Sequence, residues 1–117
     1  MSAISIVEQI RAKFDTIKAD SRFAAAEWWL TFYLCGDRVR LEEIARTLLQ
    51  LGGKNLGGPE YGFFYPKVPV RSELTAMIAV VERVIECCEE VGVEIDHIDA
   101  DTSSDVEHSS FRCLYKS

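Results

Sequence analysis

Between Glu94 and Asp105 the chain reads Glu94-Ile-Asp-His-Ile-Asp-Ala-Asp-Thr-Ser-Ser-Asp105, its densest run of oxygen donors. Carboxylates at Asp99, Asp101 and Asp105 suit a hard cation such as Ca²⁺ or Mg²⁺. A calcium loop counted from Asp99, however, puts Ser104 where the sharp turn needs glycine. It also puts Ser110 where a bidentate glutamate must close the cage. Both defining positions fail, so no metal and no other cofactor is expected. His97 and His108 are the only histidines. On a regular strand His97 points away from Asp96 and Ile98, which builds no acid–base pair from neighbours. Neither histidine stands at zinc spacing from a cysteine. Cys35 precedes Gly36-Asp37 at a strand-to-helix turn, where a helix N-terminus can depress a thiol pKa. No histidine or asparagine follows it in a hydrolase context. Gly52-Gly53 and Gly57-Gly58 flank Lys54, but they follow a helix instead of opening one, as turn glycines do. A catalytic centre is therefore not expected, and an enzyme acting through Cys35 or His97 is the least favoured reading.

Aromatic residues give a second set of candidates. Trp29, Thr31 and Tyr33 share one face of a strand, and Tyr61, Phe63 and Tyr65 share one face of another. RNA-recognition motifs stack bases on such a surface. Here the accompanying basic residues are missing, so direct nucleic-acid binding is not expected. Burial beneath the N-terminal helix, or contact with a protein or a second copy, accounts better for Trp29, Tyr33, Tyr61 and Tyr65. If the helix is the cover, deleting residues 3–19 exposes Trp29 and Tyr33.

These residues need elements to hold them. Ile4, Val7, Ile10, Phe14 and Ile17 step by three or four, predicting an amphipathic helix over 3–19. Glu27 to Cys35 alternates as a strand apolar on both faces, hence central. Asp37 caps a helix striped by Leu41, Ile44, Leu48 and Leu51, which ends at Gly52-Gly53. A turn over 54–60, with a short edge strand near Leu56, leads to the strand Tyr61–Tyr65. Pro66 and Pro69 stop that strand or confine it to an edge. Ser72 caps the longest helix, 73–91, closed by Gly92. Residues 93–98 alternate as a strand, 99–109 form an acidic serine-rich loop, and Phe111–Tyr115 is a last strand. This order predicts one α+β domain over residues 1–117. Two helices pack on one face of a ferredoxin-like antiparallel sheet over 27–98, with an added N-terminal helix and C-terminal strand. Leu48 and Val81 should meet in the shared core.

The 117 residues, 48% of them hydrophobic, suffice for an unaided core. No apolar run approaches the roughly 18 residues of a membrane span. The start meets acid at Glu8 without a basic region, so no signal peptide is expected. Adjacent Cys87 and Cys88 suit neither a mutual disulfide nor a shared metal, and reduced thiols in a bacterial cytoplasm are expected. Net charge is −6, unevenly spread: residues 1–71 hold 10 Lys/Arg against 8 Asp/Glu (+2), and 72–117 hold 3 against 11 (−8). An acidic half repels nucleic acid and membrane phosphates and favours a basic protein partner. Glu94, Asp96, Asp99, Asp101, Asp105 and Glu107, with no Lys or Arg among them, are the expected contact surface. Reversing charge at Asp99 and Asp101 should then slow association and leave the fold intact.

Three segments resemble the regulator of ribonuclease activity B (RraB) family. They are Trp29-Leu-Thr-Phe-Tyr-Leu-Cys-Gly-Asp37 with its capped helix, Phe64-Tyr-Pro-Lys-Val-Pro-Val70, and the long helix closed by Val91-Gly-Val-Glu-Ile-Asp96. The resemblance spans roughly residues 27–97, mainly in element order and hydrophobic pattern. The family often closes its last strand with Asp-Gly-Trp; here Asp96-His97-Ile98 stands there, so only Asp96 carries over. The resemblance implies a ferredoxin-like fold and a non-catalytic inhibitor that contacts another protein, such as a nuclease. An immunity-type protein plugging the basic groove of a nuclease needs the same acidic surface and is the alternative expectation.

Overall fold

A computed structural model describes residues 3–55, 59, 62–105, 107 and 109–117. Its elements are α1 (Ala3–Lys18), a single 3₁₀ turn (Ser21–Phe23), β1 (Glu27–Cys35), α2 (Arg38–Gln50), β2 (Lys54–Asn55), β3 (Phe63–Phe64), β4 (Pro66–Arg71), α3 (Leu74–Val91), β5 (Glu94–Asp101) and β6 (Phe111–Lys116). The antiparallel strands lie in the order β2-β4-β1-β5-β6, with β3 also pairing with β1. The order β2-β4-β1-β5, with α2 and α3 as crossovers, is the ferredoxin-like arrangement, and β6 extends it as a hairpin from β5. No helix among the described residues is long and apolar enough to cross a membrane.

The alternation in β1 decides which side is sealed. Trp28, Leu30, Phe32 and Leu34 are fully buried. Their partners across the ladders, Val70 and Val68 on β4 and Ala100, Ile98 and Ile95 on β5, extend the same apolar layer. Leu41, Ile44 and Leu48 of α2 and Met77, Val81, Val84 and Ile85 of α3 cover it, so Leu48 and Val81 share the core as expected.

The N-terminal helix is a correction. It does not cover Trp29 and Tyr33 but joins the other helices, packing against α3 and β6. Phe14 meets Trp28 with ring centroids 5.5 Å apart, and Phe23 meets the same indole edge-on at 5.5 Å. Trp28 buries its polar N–H at no loss, because Nε1 donates to the Phe23 carbonyl at 2.9 Å. Deleting α1 therefore uncovers Trp28 and its neighbours. Gln9 ties the helix to the outer edge of β6: its Nε2 donates to the Lys116 carbonyl at 3.3 Å and its Oε1 accepts from the Lys116 N–H at 3.2 Å.

The local punctuation differs in two places. Asp37 caps α2, accepting from the Arg40 N–H at 3.1 Å. Ser72 does not cap α3, whose first flanking residue is Glu73. The Ser72 hydroxyl instead donates to the Ala25 carbonyl at 2.6 Å and accepts from Lys18 Nζ at 2.6 Å, pinning the approach to β1. The aromatic strand does stop ahead of Pro66: β3 ends at Phe64 and among the described residues pairs only with β1, whereas both prolines belong to the next strand, β4, which lies between β2 and β1. β2 pairs only with Pro66 and Lys67, so Pro69 sits where no strand pairs with that flank of β4 among the described residues. The short edge strand falls at Lys54–Asn55; Leu56, Gly57, Gly58 and Tyr61 lie outside the described residues.

Gly52 takes φ +85°, and a Cβ on Gly53 would stand 2.6 Å from the Leu48 carbonyl oxygen. That carbonyl end of a helix repels anions, which removes the phosphate-cradle option there.

Candidate functional site

The face of the sheet away from the helices carries the chemistry. Along β1 it presents Trp29, Thr31 and Tyr33. Lys67 and Asp99 flank Thr31 in register, Pro69 and Asp101 flank Trp29, His97 flanks Tyr33, and Phe111 follows Asp101 on β6. The loop after β5 folds back at this face. Its neck is closed by Thr102 N–H to the Ser110 carbonyl at 3.0 Å and Ser110 N–H to Thr102 Oγ1 at 2.9 Å.

Two carboxylates expected on an acidic surface lie inside. Asp99 and Asp101 belong to β5, not to the loop, and are only 5% and 6% exposed. Asp101 collects three donors: the Thr31 hydroxyl in a short hydrogen bond, the Ser109 hydroxyl at 3.4 Å, and the Lys67 ammonium at 3.4 Å. Lys67, itself 4% exposed, also donates to the Ser103 carbonyl at 3.0 Å, anchoring the loop to the sheet. Asp99 pairs with Thr31 across the ladder and has the His97 Nε2 4.0 Å away. Charge reversal at these two positions would bury unpaired cations, so the expectation that it spares the fold is corrected. Glu94, Asp96, Asp105 and Glu107 are exposed, and the acidic strip is split in two.

His97 is also corrected. Its Nδ1 lies 2.8 Å from Asp96 Oδ2, a contact that regular alternation forbids. The register shift between Tyr33 and Leu34 makes Asp96 the extra residue of a β-bulge, which turns it toward its neighbour. The imidazole stacks on Tyr33 at 3.6 Å between centroids, inclined 15°, with Nε2 4.0 Å from Asp99. Tyr33 meets Tyr65 at 5.2 Å, and Tyr65 meets Phe63 at 6.4 Å. Four rings thus run across the strands, Phe63 and Tyr65 being exposed. Beyond the trough Trp29 lies under Lys54 Nζ, 5.4 Å from its ring, and Phe111 stands 66% exposed.

Thr31, Tyr33, Tyr65, Lys67, Asp101, Ser109 and Phe111 line an open pocket of about 350 Å³. Tyr33, Tyr65 and Asp101 are legible in the sequence as candidates, and Thr31 as their neighbour on the same face; Lys67, Ser109 and Phe111 are not. The available signal is Lys67, a lone cation between Pro66 and the apolar run Val68-Pro69-Val70 in β4. Tyr61 and His108 lie outside the described residues.

The Tyr33, Cys35 and Cys88 side chains are all held toward their neutral forms. Burial first, then the Asp99 carboxylate, pushes the Tyr33 hydroxyl well above its ordinary value. The Cys35 thiol is raised, not lowered, by burial and by Asp96 and Glu94, which outweigh the helix start beside it. Burial also pushes Cys88 up to about 12. All four cysteines are free thiols, and among the described residues no group of three or more His, Cys, Asp or Glu is placed to hold a metal. Compared with protein-family models, curated proteins and solved structures, the chain matches none.

Proposed function

We propose that this chain is a non-catalytic regulatory or inhibitory protein that binds another protein through the open face of its sheet. The observation that carries the reading is the ring array Phe63, Tyr65, Tyr33 and His97, with Phe111 opposite, around a pocket that none of the helices covers. Aromatic anchors near a polar centre supply most of the affinity of protein interfaces. The exposed acids Glu94, Asp96, Asp105 and Glu107 surround this face and steer a basic partner toward it. The resemblance to the RraB family implies the same class of action. A nuclease or another nucleic-acid-binding protein fits the required charge, and an immunity-type role is the same proposal with a nuclease as target.

The test is site-specific photo-crosslinking in cells, with the reactive side chain at Phe63, at Phe111, or at Glu86 on α3 as control. One basic protein crosslinked from both sheet positions and not from Glu86 is expected. Crosslinks from Glu86 alone, or none from the sheet positions, would overturn the reading. A crosslinked species of twice the chain mass would replace it with self-association.

A further inference from the structure

We infer that the pocket between Tyr33, Tyr65 and Phe111 accepts a guanidinium group, the side chain of an arginine presented by the partner. This assignment rests on the open-face reading above and adds the chemistry of its centre. The first argument is the direction of the protons. Thr31 donates to Asp101, and the Ser109 hydroxyl has Asp101 at 3.4 Å and the Ser110 carbonyl at 3.3 Å as its acceptors. With those protons spent on acceptors of the chain itself, the two hydroxyls offer lone pairs toward the pocket. A guest must therefore bring donors, and a guanidinium has five and no acceptor.

The second argument is charge. Asp101 lines the pocket and Asp99, on the same strand and paired with Thr31, stands just outside the lining, two carboxylates against one ammonium. The Lys67 cation is engaged by Asp101 and the Ser103 carbonyl, which leaves one carboxylate in excess. An anionic guest would meet that excess from the start. The third argument is the walls. Ring surface from Tyr33, Tyr65 and Phe111 lines the opening, and Tyr33 is fixed by the imidazole stacked on it. A planar cation gains from aromatic faces and is more weakly hydrated than an ammonium, so arginine leads lysine here. The volume of about 350 Å³ is at the lower end of ligand sites, which run roughly 300–1,000 Å³, and suits one side chain.

The experiment titrates the labelled protein with N-acetyl-arginine methylamide and follows backbone and aromatic chemical shifts. The neutral isostere N-acetyl-citrulline methylamide and N-acetyl-lysine methylamide are run alongside. Arginine should shift Thr31, Tyr33, Tyr65, Lys67 and Phe111 and bind about tenfold more tightly than citrulline. Phe111→Ala, which removes an exposed ring and spares the core, should weaken it about fivefold. Citrulline binding as well as arginine, shifts centred elsewhere, or no binding would overturn the assignment. Lysine binding as tightly as arginine would also overturn it, in favour of an unselective cation site. These results are independent of the crosslinking: sheet-face crosslinks without arginine binding fell the pocket assignment alone, and the converse fells the partner reading.

Discussion

The two faces of β1 come from one nine-residue segment, yet they are built on opposite principles. Toward the helices, Trp28, Leu30, Phe32 and Leu34 pack into the apolar core, and the polar contacts are the indole hydrogen bond and the Lys18 ammonium 5.8 Å from the Trp28 ring. Toward the open side, Thr31 is as buried as a core residue, but its neighbours are Lys67, Asp99 and Asp101. The first face gains stability by removing area from water. The second bears the cost of desolvating charge and gains a fixed pattern of acceptors, because among the described residues each buried side-chain polar atom has a partner. Stability and recognition are thus separated across the thickness of one strand.

The largest expected effect lies on the sealed face. Phe32→Ala should cost about 3–5 kcal/mol in urea denaturation, and a loss under about 1 kcal/mol would mean the helical layer is not the main core. Nearly as large is Lys67→Met on the open face, which leaves Asp101 buried without its cation and should cost about 3 kcal/mol. Adding Asp101→Leu should recover much of that loss. A double variant no more stable than the single one would show that the pair is not coupled.

Smaller, and opposite in sign between regions, is the response to pH. Burial raises Asp99 above the ordinary carboxylate range, so the folded state holds its proton more tightly than the unfolded chain. Stability then falls as pH rises from about 4 through the raised value, and Asp99→Asn should flatten that part of the profile. On the helical side, hydrogen bonds from Arg22 and then Arg112 hold Asp20 well below its usual value. Its contribution is present above about pH 4 and is lost as pH falls toward the depressed value, a loss that Asp20→Asn should abolish. Carbon-detected titration of the two carboxylates checks both directions. Least of all, Phe111→Ala should change stability by no more than about 0.5 kcal/mol while weakening arginine binding.

Much of this fold was legible, and the reasons it stopped being so are local. β1 was read to its ends because its alternation is unbroken. The stripe of α1 was read too, but a stripe says that a helix must be covered, not by which face of a sheet. Asp99 and Asp101 look like solvated loop residues because buried carboxylates are rare without a partner, and the partner of Asp101, Lys67, lies on β4 while Asp99 has His97 4.0 Å away. The Asp96–His97 contact was hidden by the bulge. Its trace in the sequence is Ile95 and Ile98, two core residues spaced by three where an unbroken strand would space them by two.

The paired bonds between Gln9 and Lys116 close a loop with a separation of 107 residues. At a synthesis rate of about 5–20 residues per second, α1 leaves the ribosome roughly 5–20 s before its strand partner exists. Through that interval Ile6, Ile10, Phe14 and Ile17 have no complete surface to bury against, and the nascent chain carries an uncovered apolar helix. Contacts this distant in sequence form late and slow folding. Growth temperature and chaperone supply should therefore govern the yield of this protein more than its final stability does, and grafting α1 after β6 by circular permutation should relieve the delay.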